Sequence, residues 1–437
     1  MAEFGESLIF VSIAAYRDPQ LAPTVLDCIA KARFPERLRF GICWQHGDEE
    51  ALPPFAKDEP FRILDVPWQQ SRGACWARAE VMKLWQGEDW FLQVDSHCRF
   101  AQDWDAILLK SVAETGSENP ILSTYATPFT PGDNEILEGG PLQIDFQSFS
   151  PEGIPQLMPV SFPRDFRFER PVRARFLSAG FLFAPGRFVE EVPYDPGLYF
   201  LGEETAMTVR AYTYGYDLFH PAEVVVWHDY LRLDAKKHWG DHTESNTVSR
   251  PWGELDIDSR LKVQRLLRGE PVGAFGLGTV RTLAQYEDYA GLSFKHRKAQ
   301  QYTIKGEEPP NPAASASWTE RIYPWIVRVS LLRRELPAGA LDDPDQWYVG
   351  IQDEAGTEIC RIDFTADKLE ALKGNEERVA LICEFPSETV PATWTVWPHS
   401  VSRGWLRLMR GQLGEGDFAV LAEEGNTTGE VGAEEGT

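Results

Sequence analysis

Leu8-Ile-Phe-Val-Ser-Ile-Ala-Ala15 is a nearly continuous apolar run, the pattern of a strand buried on both faces. Tyr-Arg-Asp-Pro ends it, and from Pro19 onward Val25, Ile29 and Ala32 recur at helical spacing. A second strand is expected at Leu38–Trp44, then a loop rich in Asp, Glu and Pro, a short strand near Phe61–Val66, a helix over Arg72–Gln86 stopped by Gly87, and a strand at Phe91–Cys98. Strands that alternate with helices imply a parallel sheet, which confines the opening of this chain to an α/β fold. Such sheets bind ligands at the C-terminal ends of their strands.

Further on, 130–170 is rich in Pro, Gly and acidic residues and reads as a long connection with strand-like stretches such as Leu142–Phe149. Strands are expected at Arg175–Pro185 and Glu223–Trp227, flanking a helix at Glu203–Thr213. The length of 437 residues suggests two or three domains. Residues 1–304 read as the α/β domain, 305–318 as a Pro- and Ala-rich linker, 319–421 as a β-rich accessory domain and 422–437 as a disordered acidic tail. In the β-rich part, Trp394, Trp397 and Trp405 are candidates for either core or sugar platform, and alternation puts Trp394 and Trp397 on opposite faces.

A formal charge of -24 argues against a nucleic-acid partner, which needs clustered Lys and Arg. No apolar stretch approaches the length of a membrane span, the first residues lack a basic leader pattern, and the six cysteines form no C-x-x-C pair. A reducing cytoplasm is the expected location.

The chemistry concentrates at Phe91-Leu-Gln-Val-Asp-Ser-His-Cys98. Residues i and i+2 of a strand share a face, so Asp95 and His97 would point together from its C-terminal end. One carboxylate and one imidazole suit a divalent ion such as Mn²⁺ with positions open to diphosphate oxygens. Arg72 and Arg78, at the start of the preceding helix, could hold a diphosphate in fork geometry, or form a solvated helix face. Glu203 and Glu204 follow Gly202 at a helix start, where the helix dipole alone would favour them; functionally, one could bind sugar hydroxyls or act on an acceptor. His228 ends another strand, and would complete a trio with Asp95 and His97 if the two strands are neighbours. His238-Trp-Gly-Asp-His242 lacks the Glu of a metalloprotease helix and is read as a loop closing over the site. Gly276-Leu-Gly278 lacks the third glycine of a dinucleotide fingerprint.

These residues together carry a resemblance. The Asp-Ser-His-Cys strand, the Arg72-Gly-x-x-x-x-Arg78 helix before it, Leu201-Gly-Glu-Glu204 and Trp227-His228 resemble, in order and spacing, retaining glycosyltransferases of the GT-A fold. The closest likeness is to cytoplasmic polypeptide N-acetylglucosaminyltransferases that modify a hydroxyproline of a ubiquitin-ligase subunit, and to their bacterial relatives. Mucin-type polypeptide N-acetylgalactosaminyltransferases share the Asp-Ser-His-Cys element more distantly. The resemblance covers about residues 7–297, from Ser12-Ile-Ala-Ala-Tyr-Arg-Asp18 to Gly276-Leu-Gly-Thr-Val-Arg-Thr282, and stops short of the β-rich part.

The resemblance implies a Rossmann-like mixed sheet and a UDP-sugar donor, UDP-GlcNAc, whose diphosphate is bridged by Mn²⁺ on Asp95, His97 and His228. It puts Ala15, Tyr16, Arg17 and Asp18 along the nucleoside pocket, Arg72 and Arg78 near ribose and phosphates, and Ser96 beside the donor. Ser178, Ala179 and Gly180 would let the sugar approach the backbone, and Glu203 and Glu204 would contact sugar or acceptor. The acceptor would be a hydroxyl, on a protein or a glycan. The rival of another class is a non-catalytic nucleotide-sugar or glycan-binding protein on the same scaffold; a metal-dependent hydrolase ranks third, because no base is tied to a water-binding motif.

Overall fold

The computed structural model describes residues 6–420 apart from 52–53, 58, 133–134, 136, 151, 163–169, 233–234, 244–247, 249, 313–317, 319–322, 371, 373–376 and 415. The acidic tail expected at 422–437 lies outside the described residues. Contacts divide the chain into two compact units, one from the described residues of 1–148 and 152–318, the other from those of 149–151 and 319–437.

In the first unit the opening run forms β1 (Ile9–Tyr16), and helix α1 (Leu21–Lys31) follows it. Strands β2 (Leu38–His46), β3 (Phe61–Pro67) and β4 (Trp90–Asp95) complete a parallel half-sheet in the order β3-β2-β1-β4. Phe10, Val11, Ile13, Phe40, Ile42, Leu92 and Val94 are almost wholly buried, so the continuous apolar runs reflect strands covered on both faces. Helix α2 (Ala74–Met82) packs on β1 and β2 and is shorter at both ends than its apolar spacing implies.

The strand expected at Phe91–Cys98 is divided. The chain bends at Ser96–His97, and β5 (Cys98–Phe100) leaves the main sheet. After α3 (Trp104–Glu114) come β6 (Pro120–Ser123), β7 (Thr127–Pro128), the two-stranded sheet of β8 (Leu142–Phe149) and β9 (Pro155–Ser161), and β10 (Val172–Arg173). Strand β11 (Phe181–Pro185) runs antiparallel between β4 and β6, so the sheet is mixed. Helices α4 (Phe188–Glu191) and α5 (Glu203–Thr213) lead to β12 (Asp217–His220), and the eight-stranded order is β10-β12-β6-β11-β4-β1-β2-β3. Strand β13 (Val226–His228) lies between β5 and β7 in a separate three-stranded sheet. Helices α6 (His238–Asp241), α7 (Trp252–Leu267) and α8 (Leu283–Ala290) follow.

The Pro-rich segment read as a linker is tied to this unit in its described part. Buried Arg175 donates to Glu307 O at 2.6 Å and to Asn311 Oδ1 at 2.6 Å. Among the described residues no helix is long and apolar enough to cross a membrane, and all six cysteines are buried and free.

The second unit is β-rich. One sheet pairs Tyr323–Leu332 with Arg378–Ser387 and Phe418–Val420. The other aligns Glu358–Thr365, Pro344–Gln352, Thr393–Ser400 and Gly404–Trp405, with Met409–Gln412 also paired to Thr393–Ser400. Alternation sends Trp347, Val349, Ile351 and Val396 into a core shared with Val327, Val329 and Leu381.

Candidate active site

Asp95 ends β4, one of the two central strands of the sheet, and His97 sits in the bend that follows. Their convergence does not come from i and i+2 on one flat strand, because the strand has already ended at Asp95. The bend instead turns His97 toward the site and starts β5, whose Cys98 lies opposite His228 of β13 in an antiparallel pair. His228 is therefore delivered by the second sheet. Its Nε2 lies 3.2 Å from Asp95 Oδ2, and its ring meets that of His97 edge-on with centroids 4.5 Å apart. One donor atom from each of Asp95, His97 and His228 lies within 4.8 Å of the others.

A second layer holds this trio. Asp18, in the turn after β1, accepts from His97 Nδ1 at 2.7 Å, from Ser96 Oγ at 2.7 Å and from Arg232 at 3.1 Å. An imidazole that donates from Nδ1 keeps its Nε2 lone pair for the site, and a carboxylate behind the ring is the usual support of a metal-binding histidine. Burial pushes the His97 pKa down, favouring the neutral ring that a cation requires. Burial alone would raise Asp95, but Arg78 and the two histidines hold its carboxyl well below the usual range. Among the described residues, His228 Nδ1 is buried without a hydrogen-bond partner. A carboxylate oxygen and two neutral imidazole nitrogens, facing one point and backed by Asp18, fit a divalent transition ion such as Mn²⁺.

Arg78 is buried in α2 and spans two carboxylates. It donates to Asp95 Oδ1 at 2.7 Å and forms a close ion pair with Glu203, also buried. Its fork thus fixes the orientation of Asp95 from behind. Glu203 opens α5 after Gly202, whose φ of +86° is the left-handed conformation that glycine adopts without strain. Glu204, one residue on, accepts from Ala179 N at 2.8 Å and from the Tyr125 hydroxyl. Burial raises its pKa to about 7 despite those two hydrogen bonds. Gly180 brings backbone against the trio: a Cβ there would lie 3.1 Å from Asp95 Oδ2.

These groups line a cleft of about 640 Å³ at the C-terminal ends of β1 and β4. Tyr16, Gly73, Arg78, Asp95, Ser96 and His97 line one part; Tyr125, Ala179, Gly180, Glu203, Glu204 and His228 line another. The Tyr16 hydroxyl donates to Asp241 at 3.0 Å, as does Arg17 at 3.1 Å, which ties α6 to the end of β1. His238 Nδ1 and the Tyr199 hydroxyl are hydrogen-bonded at 2.8 Å, and the His238 ring stacks on His242 with centroids 3.8 Å apart. Desolvation lowers the His238 pKa to about 3 and also lowers that of His242, so the two rings pack neutral, with His238 in the cleft wall.

The structure gathers Tyr16, Arg78, Asp95, Ser96, His97, Ala179, Gly180, Glu203, Glu204 and His228 at the cleft. Ala15 instead packs into the hydrophobic core, Arg17 pairs with Glu49, Glu50 and Asp241, and Arg72 is exposed and off the cleft wall. Sequence reasoning grouped Asp18 with the nucleoside pocket and missed its bond to His97, and it missed Tyr125 and Arg232 altogether. Local spacing contains no signal for those partners, since each meets the site across a loop.

The family profile described as Glycosyltransferase (GlcNAc) matches residues 8–61 and 55–296. No curated protein sequence matches the chain. Among solved structures, GalNAc-T7 with UDP, GalNAc and Mn²⁺ is similar at 15% identity and a TM-score of 0.44, covering 66% of this chain and 51% of that one. The alignment thus spans about half of GalNAc-T7. TarS 1-349 of S. aureus in complex with UDP-GlcNAc is similar at 12% identity and a TM-score of 0.33, covering 53% and 60% of the two chains. S. aureus TarS aligns over 93% of this chain and 78% of its own at 10% identity and a TM-score of 0.36. At these scores the likenesses say nothing of this chain's substrate. The family profile spans most of the first unit and contains every residue of the Asp95, His97 and His228 trio, and on that match the chain belongs to the GlcNAc glycosyltransferase family.

Proposed function

We propose that this chain is a metal-dependent, retaining glycosyltransferase that moves GlcNAc from UDP-GlcNAc to a hydroxyl acceptor on a protein or glycan. The observation that carries the reading is the convergence of Asp95, His97 and His228, with Asp18 fixing the His97 ring behind them. In this reading Asp95, His97 and His228 hold a divalent ion, Mn²⁺. When bound, the ion supplies positive charge against the diphosphate of the donor as it departs.

The remaining roles fall to the chain's own groups. Arg78, anchored on Glu203, keeps Asp95 turned toward the site. Tyr16 and Ser96 border the nucleotide end, while Ala179 and Gly180 admit the sugar ring against bare backbone. Glu204 and Tyr125 face sugar or acceptor hydroxyls. Holding donor and acceptor oxygens in attack geometry supplies much of the acceleration. The acceptor oxygen attacks the anomeric carbon on the face from which UDP leaves; the carbon–phosphate-oxygen bond breaks, and the acceptor proton passes to that departing oxygen.

The test is nucleotide release from UDP-, GDP- and CMP-sugars with and without Mn²⁺. Mn²⁺-dependent UDP release from UDP-GlcNAc, abolished in both Asp95→Ala and His228→Ala, is expected. Preference for GDP or CMP donors, or full turnover in both variants, would sink the assignment.

A further inference from the structure

The second unit carries a groove of about 920 Å³ on the outer face of its larger sheet. The strand register builds it. Gly350 stands opposite Arg361 on one neighbouring strand and Thr395 on the other, and Arg410 is opposite Thr395 in turn. On one side Tyr348 faces Trp397, and on the other Gln352 is flanked by Glu358 and Thr393. Because Gly350 has no side chain, the polar ends of Tyr348, Gln352 and Glu358 close over it and form the floor of the groove.

Three tryptophans line the groove, and two of them are well exposed. Trp397 is 37% exposed and Trp405 44% exposed, with ring centroids 4.5 Å apart. The Trp397 indole donates to Leu406 O at 2.9 Å, which pins the ring in place. Trp394, the third candidate from the sequence, is partly buried against the core and also lines the groove. The floor is polar and pre-arranged: Thr393 and Thr395 hydroxyls lie 3.1 and 3.4 Å from Gln352 Oε1, and Tyr348 donates to Glu358. The guanidinium of Arg361 lies over the Tyr348 ring at 5.3 Å. Glu358 and Asp363 offset Arg361 and Arg410, so the face has no dominant sign.

We propose that this groove binds a neutral oligosaccharide of pyranose units. Indole faces cover the apolar C–H side of a sugar ring, while fixed amide, carboxylate and guanidinium groups take its hydroxyls, the mix of apolar wall and few oriented polar groups that a ligand pocket needs. An apolar peptide would leave the Gln352, Glu358 and Arg361 groups desolvated and unpaired. A polyanion would meet Glu358 and Asp363 in a chain of net charge -24. The site lies wholly within the second unit and does not depend on the transferase reading of the first.

The test is calorimetric titration of the full chain with N-acetylchitotetraose, cellotetraose and maltotetraose, each repeated with saturating UDP and Mn²⁺ and with Asp95→Ala. At least one tetrasaccharide should bind saturably, unaffected by UDP or by Asp95→Ala. That binding should weaken at least tenfold in Trp405→Ala and in Gln352→Ala, both judged folded by an unchanged thermal midpoint. Gln352→Ala separates the two causes, because it removes an oriented polar group of the groove floor without removing an aromatic ring. No saturable binding by any of the three sugars would overturn the proposal, as would binding that survives both variants or that UDP displaces.

Discussion

Asp18 Oδ2 lies 2.7 Å from Nδ1 of His97, although 79 residues separate them, and this contact decides which nitrogen of His97 faces the cleft. Replacing Asp18 by Asn leaves the shape but lets the ring turn over, so Mn²⁺ affinity should fall about 10- to 100-fold. Mn²⁺ titration of UDP-GlcNAc turnover reads this directly. An unchanged Mn²⁺ midpoint would show that His97 needs no such support.

Arg78 is buried between Asp95 and Glu203. Arg78→Met strands a buried carboxylate and should cost about 3–5 kcal/mol, whereas adding Glu203→Leu should recover a large part of that loss. Urea unfolding of the two variants is the measurement. Equal destabilisation by the single and double changes would mean that the pair does not act as a unit.

The raised pKa of Glu204, about 7, makes stability depend on pH. The native state keeps its proton where the unfolded chain, with the ordinary value of 4.5, has lost it. The resulting stabilisation is complete below 4.5 and is lost as the pH rises through about 7. It amounts to at most about 3 kcal/mol, reduced because the carboxyl borders the wet cleft. The wild-type urea midpoint should therefore fall between pH 5 and pH 8 more steeply than that of Glu204→Gln. Parallel curves for the two proteins would remove Glu204 as the cause.

Gly180→Ala tests the close approach of backbone to the trio. The added methyl would stand 3.1 Å from Asp95 Oδ2 and must push that carboxylate or itself aside. About a tenfold loss in kcat/KM for the donor is expected, equivalent to about 1.4 kcal/mol, with thermal stability unchanged. A variant as active as wild type would place the sugar away from this loop.

Much of the first unit is legible in the chain because strand burial leaves a local mark. The runs at Leu8–Ala15 and Leu38–Trp44 are apolar apart from Ser12 and Arg39, and both became strands closed off on two faces. Helix α5 began at Glu203 as its glycine and acidic first turn suggest. Helix α7 was not foreseen: its mean hydropathy is low and its buried side is only Ser259, Val263, Leu266 and Leu267, too sparse to mark a period. In the second unit, alternation correctly separated Trp394 from Trp397, but their exposure depended on what covered each face.

The sequence by itself determined that Asp95 and His97 lie together near the C-terminal end of a buried strand, since that rests on neighbouring residues, but not that the strand stops at Asp95. Only the tertiary structure decided that His228, 133 residues from Asp95, meets it, through a bend at Ser96–His97 and a second sheet pairing Cys98 with His228. The same holds for Arg78 and Glu203, 125 residues apart. The reason is physical: side-chain period and burial are written along a strand, whereas the pairing of distant segments is set by packing across the whole sheet.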